Sequence, residues 1–276
     1  MKFATVRRDA TTTAVVIDGD DAIGLPYADV GDLLAHGPAQ DQVLPKGPRW
    51  DVASLDFAPL VPRPSKIVCV GLNYRNHIQE MGRDLPEYPT LFAKFADSLI
   101  GARDDITLPP ETAAFDWEVE LAVVIGQQVR RASETEAADA IAGFTILNDI
   151  TCRDWQFRTR EWLQGKSWDA TTPVGPYLVT PDEVGGVRPA LCVRCEVDGR
   201  LMQSDSTDDL LFDPVDLVRY VSTMVRLNPG DLIATGTPGG VGHARKPPIY
   251  LTGGEQVVCH IDGLGRLENT VAVGAG

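Results

Sequence analysis

The chain has 276 residues, of which 43% are hydrophobic and 23% charged, with a net charge of −14. These are values of a globular chain with room for a sizeable core, and no apolar run approaches the roughly 18 residues that a membrane span needs. The acidic balance, without any basic run to override it, excludes nucleic acid as a partner, so attraction for a small anion must be local, from a bound divalent ion or individual lysines and arginines.

The N-terminal stretch MKFATVRRDATTTAVVIDGD has no continuous apolar region followed by a small-residue cleavage site, and its alternation predicts a first strand and a cytoplasmic location. Residues 1–60 continue with short strand patterns and the helix-like DVGDLLAHG, and the proline-rich LVPRPSK follows. This predicts a small N-terminal domain and a linker ahead of a main domain over 65–276. From Lys66 onward the strand-like runs KIVCVG, ELAVVIG, FTILNDI, YLVT, LCVRCEVDG, DLIATG and QVVCHIDG dominate. Helical periodicity is clear chiefly in SETEAADAIAG and PVDLVRYVSTMVR. Strands and helices do not alternate regularly, which disfavours a doubly wound parallel sheet and predicts a β-rich α+β fold with helices on the flanks of the sheet.

The five cysteines, Cys69, Cys152, Cys192, Cys195 and Cys259, are scattered through apolar contexts and read as reduced thiols. Cys192 and Cys195 form a single C-x-x-C without a second pair, and core packing is preferred over a metal site. QGKSW contains Gly-Lys-Ser, but Arg160 stands where a phosphate-binding loop needs its first glycine. Nucleophile-elbow, H-E-x-x-H and dinucleotide fingerprints are also absent from the sequence.

In FDWEVELAVVIG, residues 115–126, strand alternation points Glu118 and Glu120 the same way, with Asp116 sharing their parity. Neighbouring carboxylates repel unless the face is solvated, a proton is taken up, or a cation sits between them. GFTILNDITCRDW places Asp149 at the end of another strand. If the two strands are neighbours, three carboxylates with no histidine or thiolate suit Mg²⁺, Mn²⁺ or Ca²⁺ better than zinc or iron. In GLNYRNHIQEMG, His77 and Glu80 are three apart, so one helical turn stacks them as a base and its orienter. GKSWDATTPVGPY sets Lys166 before a turn, and ATGTPGGVG sets Thr235 and Thr237 among glycines that admit close approach of a ligand to backbone amides.

Through the order and wording of GLNYRNHIQEMG, LFAKFADSLIG, DWEVELAVVIG, GFTILNDITCRDWQ, GKSWDATTPVGPYLVT and NPGDLIATGTPGGVG, the chain resembles the fumarylacetoacetate hydrolase family from about Ser65 to the end. The resemblance implies a mixed β-sandwich roll, often a homodimer, that binds Mg²⁺ or Mn²⁺ through Glu118, Glu120 and Asp149. It implies a His77–Glu80 dyad on a lid-like segment, a role for Lys166, and substrate contacts from Lys94, Gln156 and Thr237. Phe95 to Asp97 depart from the proline and serine that many relatives carry there. The implied substrate is a small anionic 2-oxo acid, and the leading reaction is carbon–carbon cleavage of an acylpyruvate by water that His77 activates. Oxaloacetate decarboxylation and 2-hydroxydienoate isomerisation suit the same site, and a non-catalytic metal-binding module is the alternative of another class. The presence of His77, Glu80 and Lys166 together speaks against the last.

Overall fold

A computed structural model describes residues 1–36, 47–80, 82 and 84–274, with the Glu80 side chain outside that description. In chain order the strands are β1 (Lys2–Arg8), β2 (Thr11–Asp18), β3 (Asp21–Gly24), β4 (Arg49–Asp51), β5 (Ile67–Gly71), β6 (Thr90–Lys94), β7 (Leu99–Ile100), β8 (Ile106–Leu108) and β9 (Phe115–Asp116). They continue with β10 (Val119–Ile125), β11 (Ile141–Asn148), β12 (Thr151–Cys152), β13 (Thr172–Val179), β14 (Cys192–Val197), β15 (Arg200–Ser206), β16 (Leu232–Ala234), β17 (Gln256–Ile261) and β18 (Gly265–Val273). The helices are α1 (Val30–Ala35), α2 (Arg75–Glu80), α3 (Glu134–Asp139), α4 (Arg153–Gln156), α5 (Leu163–Lys166) and α6 (Pro214–Met224).

The strands form an eleven-stranded sheet in the order β4-β3-β2-β1-β13-β11-β10-β16-β5-β6, with β7 attached to β13. A five-stranded sheet (β15-β14-β17-β18-β8) and the two-stranded β12–β9 complete the β-structure of the described residues. The fold is thus the strand-rich α+β arrangement expected from the sequence. The N-terminal strands extend the large sheet rather than making one of their own, because β1 pairs with β13 through Lys2↔Val179 and Phe3↔Leu178.

β10 lies in the middle of the large sheet and every one of its residues is buried. Its alternate residues serve two different cores. Val119, Leu121, Val123 and Ile125 pack in one apolar cluster. Ala122 and Val124 pack in the other, with Phe3, Ile23, Leu33, Leu147 and Leu232. A strand covered on both faces has no wet side, so Glu118 and Glu120 are not a solvated face.

The helices begin where the sequence supplies caps. Ser133 and Glu136 form a capping box on α3. Asp213 Oδ1 accepts the amides of Val215 and Asp216 at the start of α6, which also has Pro214 in its first turn. The two helices pack against each other. Cys195 faces Cys259 across β14 and β17, with both thiols buried and their sulfurs 4.0 Å apart, so the C-x-x-C is strand packing. No helix among the described residues is long and apolar enough to cross a membrane.

Candidate active site

Antiparallel pairing of β10 with β11 sets Val119 opposite Asn148 and Glu120 opposite Leu147. One step further along, the Asp149 amide donates to the Glu118 carbonyl at 2.8 Å. Because faces alternate along each strand, this register puts Glu118, Glu120 and Asp149 on one side. One carboxylate oxygen from each lies within 4.8 Å of the others, and all three residues are buried.

The shared parity expected for Asp116 is corrected by the structure. The strand breaks at Trp117 and Glu118, and Asp116 pairs instead in the small sheet, opposite Thr151. The break is held by side chains: Asn148 Oδ1 accepts the Glu118 amide at 3.0 Å, and Gln203 Oε1 accepts the Val119 amide at 3.1 Å. Two amides that would otherwise be buried unpaired are thereby satisfied.

Three buried cations stand among the carboxylates. Lys166 Nζ donates to Glu118 Oε2 at 2.7 Å and to Asp149 Oδ2 at 2.8 Å. Lys94 Nζ donates to Asp149 Oδ1 at 2.7 Å. Arg153 Nε donates to Asp116 Oδ2 at 2.8 Å, while its Nη2 lies 2.6 Å from Glu118 Oε1 in an ion-pair contact without hydrogen-bond alignment. Four acidic groups (Asp116, Glu118, Glu120, Asp149) therefore face three basic ones (Lys94, Arg153, Lys166), and one negative charge is left over in a buried place. Such a charge requires a proton or a further cation.

Glu120 marks where the excess resides. Burial, together with Asp149 and Glu118, pushes its carboxyl well above the usual carboxylate range. Its Oε2 accepts the Gly236 amide at 2.8 Å. Gly236 has φ +103°, and a Cβ there would come within 3.0 Å of the Asn73 side chain and the Val70 carbonyl, so the amide reaches Glu120 only because the residue is glycine. Burial also opposes the charge on Asp149, but Lys166 and Lys94 outweigh it and hold that carboxyl below its ordinary value. Lys166 shows the converse: burial disfavours its ammonium, yet Asp149 and Glu118 raise its pKa above the ordinary lysine value.

Three buried carboxylates with one uncompensated charge fit a hard divalent cation such as Mg²⁺, Mn²⁺ or Ca²⁺. Each carboxylate oxygen has a lone pair to spare beside the hydrogen bond it accepts.

These groups border a cavity of about 180 Å³ whose lining includes Glu118, Glu120, Lys166, Gln156, Thr237 and His77, with Phe92 and Trp162 as an apolar wall. His77 lies on α2, as its spacing predicted. The Glu80 side chain lies outside the described residues. Lys94 does not line the cavity, because its ammonium is spent on Asp149 Oδ1 and the Ile150 carbonyl. In this structure it supports Asp149. Gln156 accepts from Arg153 Nη1 at 3.0 Å. Thr237 Oγ1 donates to the Val119 carbonyl and accepts from Gln203 Nε2, and Thr235 Oγ1 donates to the Leu121 carbonyl. The glycine-rich loop thus turns two amides, those of Thr235 and Gly236, and two hydroxyls toward β10.

Sequence reasoning missed Arg153, Gln203 and His243. Arg153 had a signal, a cation four residues after Asp149. Gln203 had none, since an amide side chain in a strand ordinarily faces solvent.

Residues 66–272 match the family described as Fumarylacetoacetate (FAA) hydrolase C-terminal. The chain belongs to the fumarylacetoacetate hydrolase family of enzymes. It is 46% identical over 230 residues to the human mitochondrial oxaloacetate tautomerase FAHD2A, covering 83% of this chain and 72% of that protein. Its structure is similar to that of fumarylacetoacetate hydrolase from Exiguobacterium antarcticum, with a TM-score of 0.89 and 33% identity over 99% of this chain and 100% of the other. It is also similar to fumarylpyruvate hydrolase from Pseudomonas aeruginosa in complex with Mn²⁺ and pyruvate, with a TM-score of 0.68 and 33% identity over 76% of this chain and 90% of that one. Family membership accounts for the roll built on β10 and β11, and the acidic trio sits within the matched residues.

Proposed function

We propose that the protein catalyses divalent-metal-dependent keto–enol chemistry on a small 2-oxo acid, with tautomerisation of oxaloacetate as the leading reaction. The observation that carries this reading is the buried trio Glu118, Glu120 and Asp149 with its uncompensated negative charge, beside a cavity of about 180 Å³. The likeness to the human tautomerase supports this choice of substrate.

In this reading Glu118, Glu120 and Asp149 hold Mg²⁺ or Mn²⁺, which when bound supplies Lewis acidity to the oxygens of a 2-oxo acid. Lys166, on the cavity lining and charged by virtue of Glu118 and Asp149, stabilises negative charge that develops on the 2-oxo oxygen. His77 exchanges the C3 proton: it removes one from the keto form, while the 2-oxo oxygen takes a proton from solvent to give the enol, and in reverse the enol O–H proton returns to solvent as His77 delivers one to C3. Gln156, held by Arg153, and Thr237, held by Gln203, border the substrate with fixed polar groups.

His77 on the cavity lining also supports a second reading, hydrolysis of an acylpyruvate by water that this histidine deprotonates. The similarity to the fumarylpyruvate hydrolase favours it. One assay separates the two: the Mg²⁺-loaded protein is mixed with enol oxaloacetate and, separately, with several acylpyruvates, and ultraviolet absorbance is followed with EDTA as the control. Metal-dependent enol loss without pyruvate formation supports the tautomerase. Acylpyruvate consumption that releases pyruvate supports the hydrolase. Equal rates with and without metal on every substrate would sink both.

A further inference from the structure

The cavity lining also includes His243, an exposed residue that shares the opening with the buried carboxylates. Its position is set from both sides. The Gly242 and His243 amides donate to Asp116 Oδ1 and Oδ2 at 2.7 and 2.9 Å, and Asp116 is itself anchored to Arg153. The loop then closes on itself, with the amides of Arg245 and Ile249 donating to the Gly242 carbonyl. This closure brings the Tyr250 hydroxyl to 2.8 Å from His243 Nδ1. The Phe157 ring, also on the cavity lining, lies 5.2 Å from the imidazole, centroid to centroid. An exposed histidine is ordinarily a mobile side chain; here its backbone and ring are both tied.

We propose that His243, oriented by Tyr250, is a specificity-determining residue that donates a hydrogen bond to the distal end of the substrate and selects 2-oxo acids with a second carboxylate over those ending in an alkyl group. This rests on the reading of the site as one for 2-oxo acids. The 2-oxo end belongs at the buried trio, so the remainder of a short ligand extends toward the opening where His243 stands. In the assigned tautomer the Tyr250 hydroxyl donates to Nδ1, so that Nε2 carries the ring proton and is the nitrogen left for a ligand. Burial raises the Tyr250 phenol above its ordinary value, consistent with a hydroxyl that keeps its proton. Burial and the nearby Arg153 lower the His243 pKa, consistent with a neutral donor.

The test is calorimetric titration of the Mg²⁺-loaded protein and its variants with oxaloacetate and, separately, pyruvate. His243→Phe keeps the ring contact with Phe157 and removes the donor. Its affinity for oxaloacetate is expected to fall about three- to tenfold, the worth of one hydrogen bond, with pyruvate unchanged. His243→Gln, which retains an N–H donor, recovers part of the loss, and Tyr250→Phe, a positioning change, loses part of it. Equal weakening toward both ligands, or none toward either, overturns the proposal. Because binding is read without turnover, a protein that distinguishes the two acids through His243 yet interconverts no enol refutes the tautomerase reading and leaves the specificity role standing.

Discussion

Asp116 and Arg153 face each other in the protein interior, Oδ2 to Nε at 2.8 Å, and Asp116 also accepts the amides of Trp117, Gly242 and His243. One carboxylate thereby fixes the break between β9 and β10, the loop at the cavity opening, and the arginine that reaches Glu118. Asp116→Ala leaves a buried guanidinium without this partner and strands three backbone donors. The expected cost is about 3 to 5 kcal/mol of unfolding free energy. Urea denaturation measures it, and a loss under about 1 kcal/mol, no more than a single ordinary hydrogen bond contributes, would falsify this role of the pair.

Lys166 lies between two of the carboxylates, so its removal separates charge stabilisation from metal binding. Lys166→Met raises the negative excess of the site. Affinity for Mn²⁺, measured by titration, is expected to hold or increase, while turnover falls roughly a hundredfold or more, the typical worth of a preorganised charge donor. A variant that loses metal but keeps a third of its activity contradicts this assignment.

The pH dependence of the metal-free protein follows from Glu120 and Asp149, with opposite signs. Glu120 has a folded pKa raised above its unfolded value, so its contribution to stability is complete below the ordinary carboxylate range and is lost as pH rises through the folded value. Asp149 has a depressed folded pKa, so its contribution is present above the ordinary range and lost as pH falls through its folded value. Denaturation midpoints across a pH series should decline on both sides. Glu120→Gln, or saturating Mg²⁺, is expected to flatten the alkaline decline and spare the acidic one.

Burial pushes the Cys152 thiol up to about 12 and raises Cys69 and Cys195 well above the ordinary range, whereas Cys192 is only partly buried. Thiolate is the reactive form. Alkylation of the folded protein at mildly alkaline pH should mark Cys192 first, and the other four should follow only after unfolding, as read by peptide mass spectrometry. Labelling of Cys69 at the rate of Cys192 would contradict the packing behind the site.

The continuous apolar, β-branched runs of ELAVVIG and FTILNDI were enough to name both central strands, and side-chain alternation, a local property of an extended chain, placed Glu118 and Glu120 on one face. The helices at SETEAADAIAG and PVDLVRYVSTMVR were legible for the same reason, through their periodicity. Parity misled at Asp116, since the break after it is held by the Asp116 carboxylate together with Asn148 and Gln203, which are distant in sequence from it. Lys94 was named from the sequence as a substrate contact, and its place beside Asp149 came only with the tertiary structure.

The sequence by itself determined the β-rich class, the central strands and the three carboxylates, along with the family resemblance. Only the tertiary structure decided that these carboxylates are buried on both sides, that three cations leave one charge uncompensated, and that Asp116, Gln203 and His243 belong to the same construction. Alternation and helical periodicity act between near neighbours and are written in the order of residues. The charge balance of the site depends on groups as far apart as Lys94 and Lys166, which meet at Asp149 only after the sheet has closed around them.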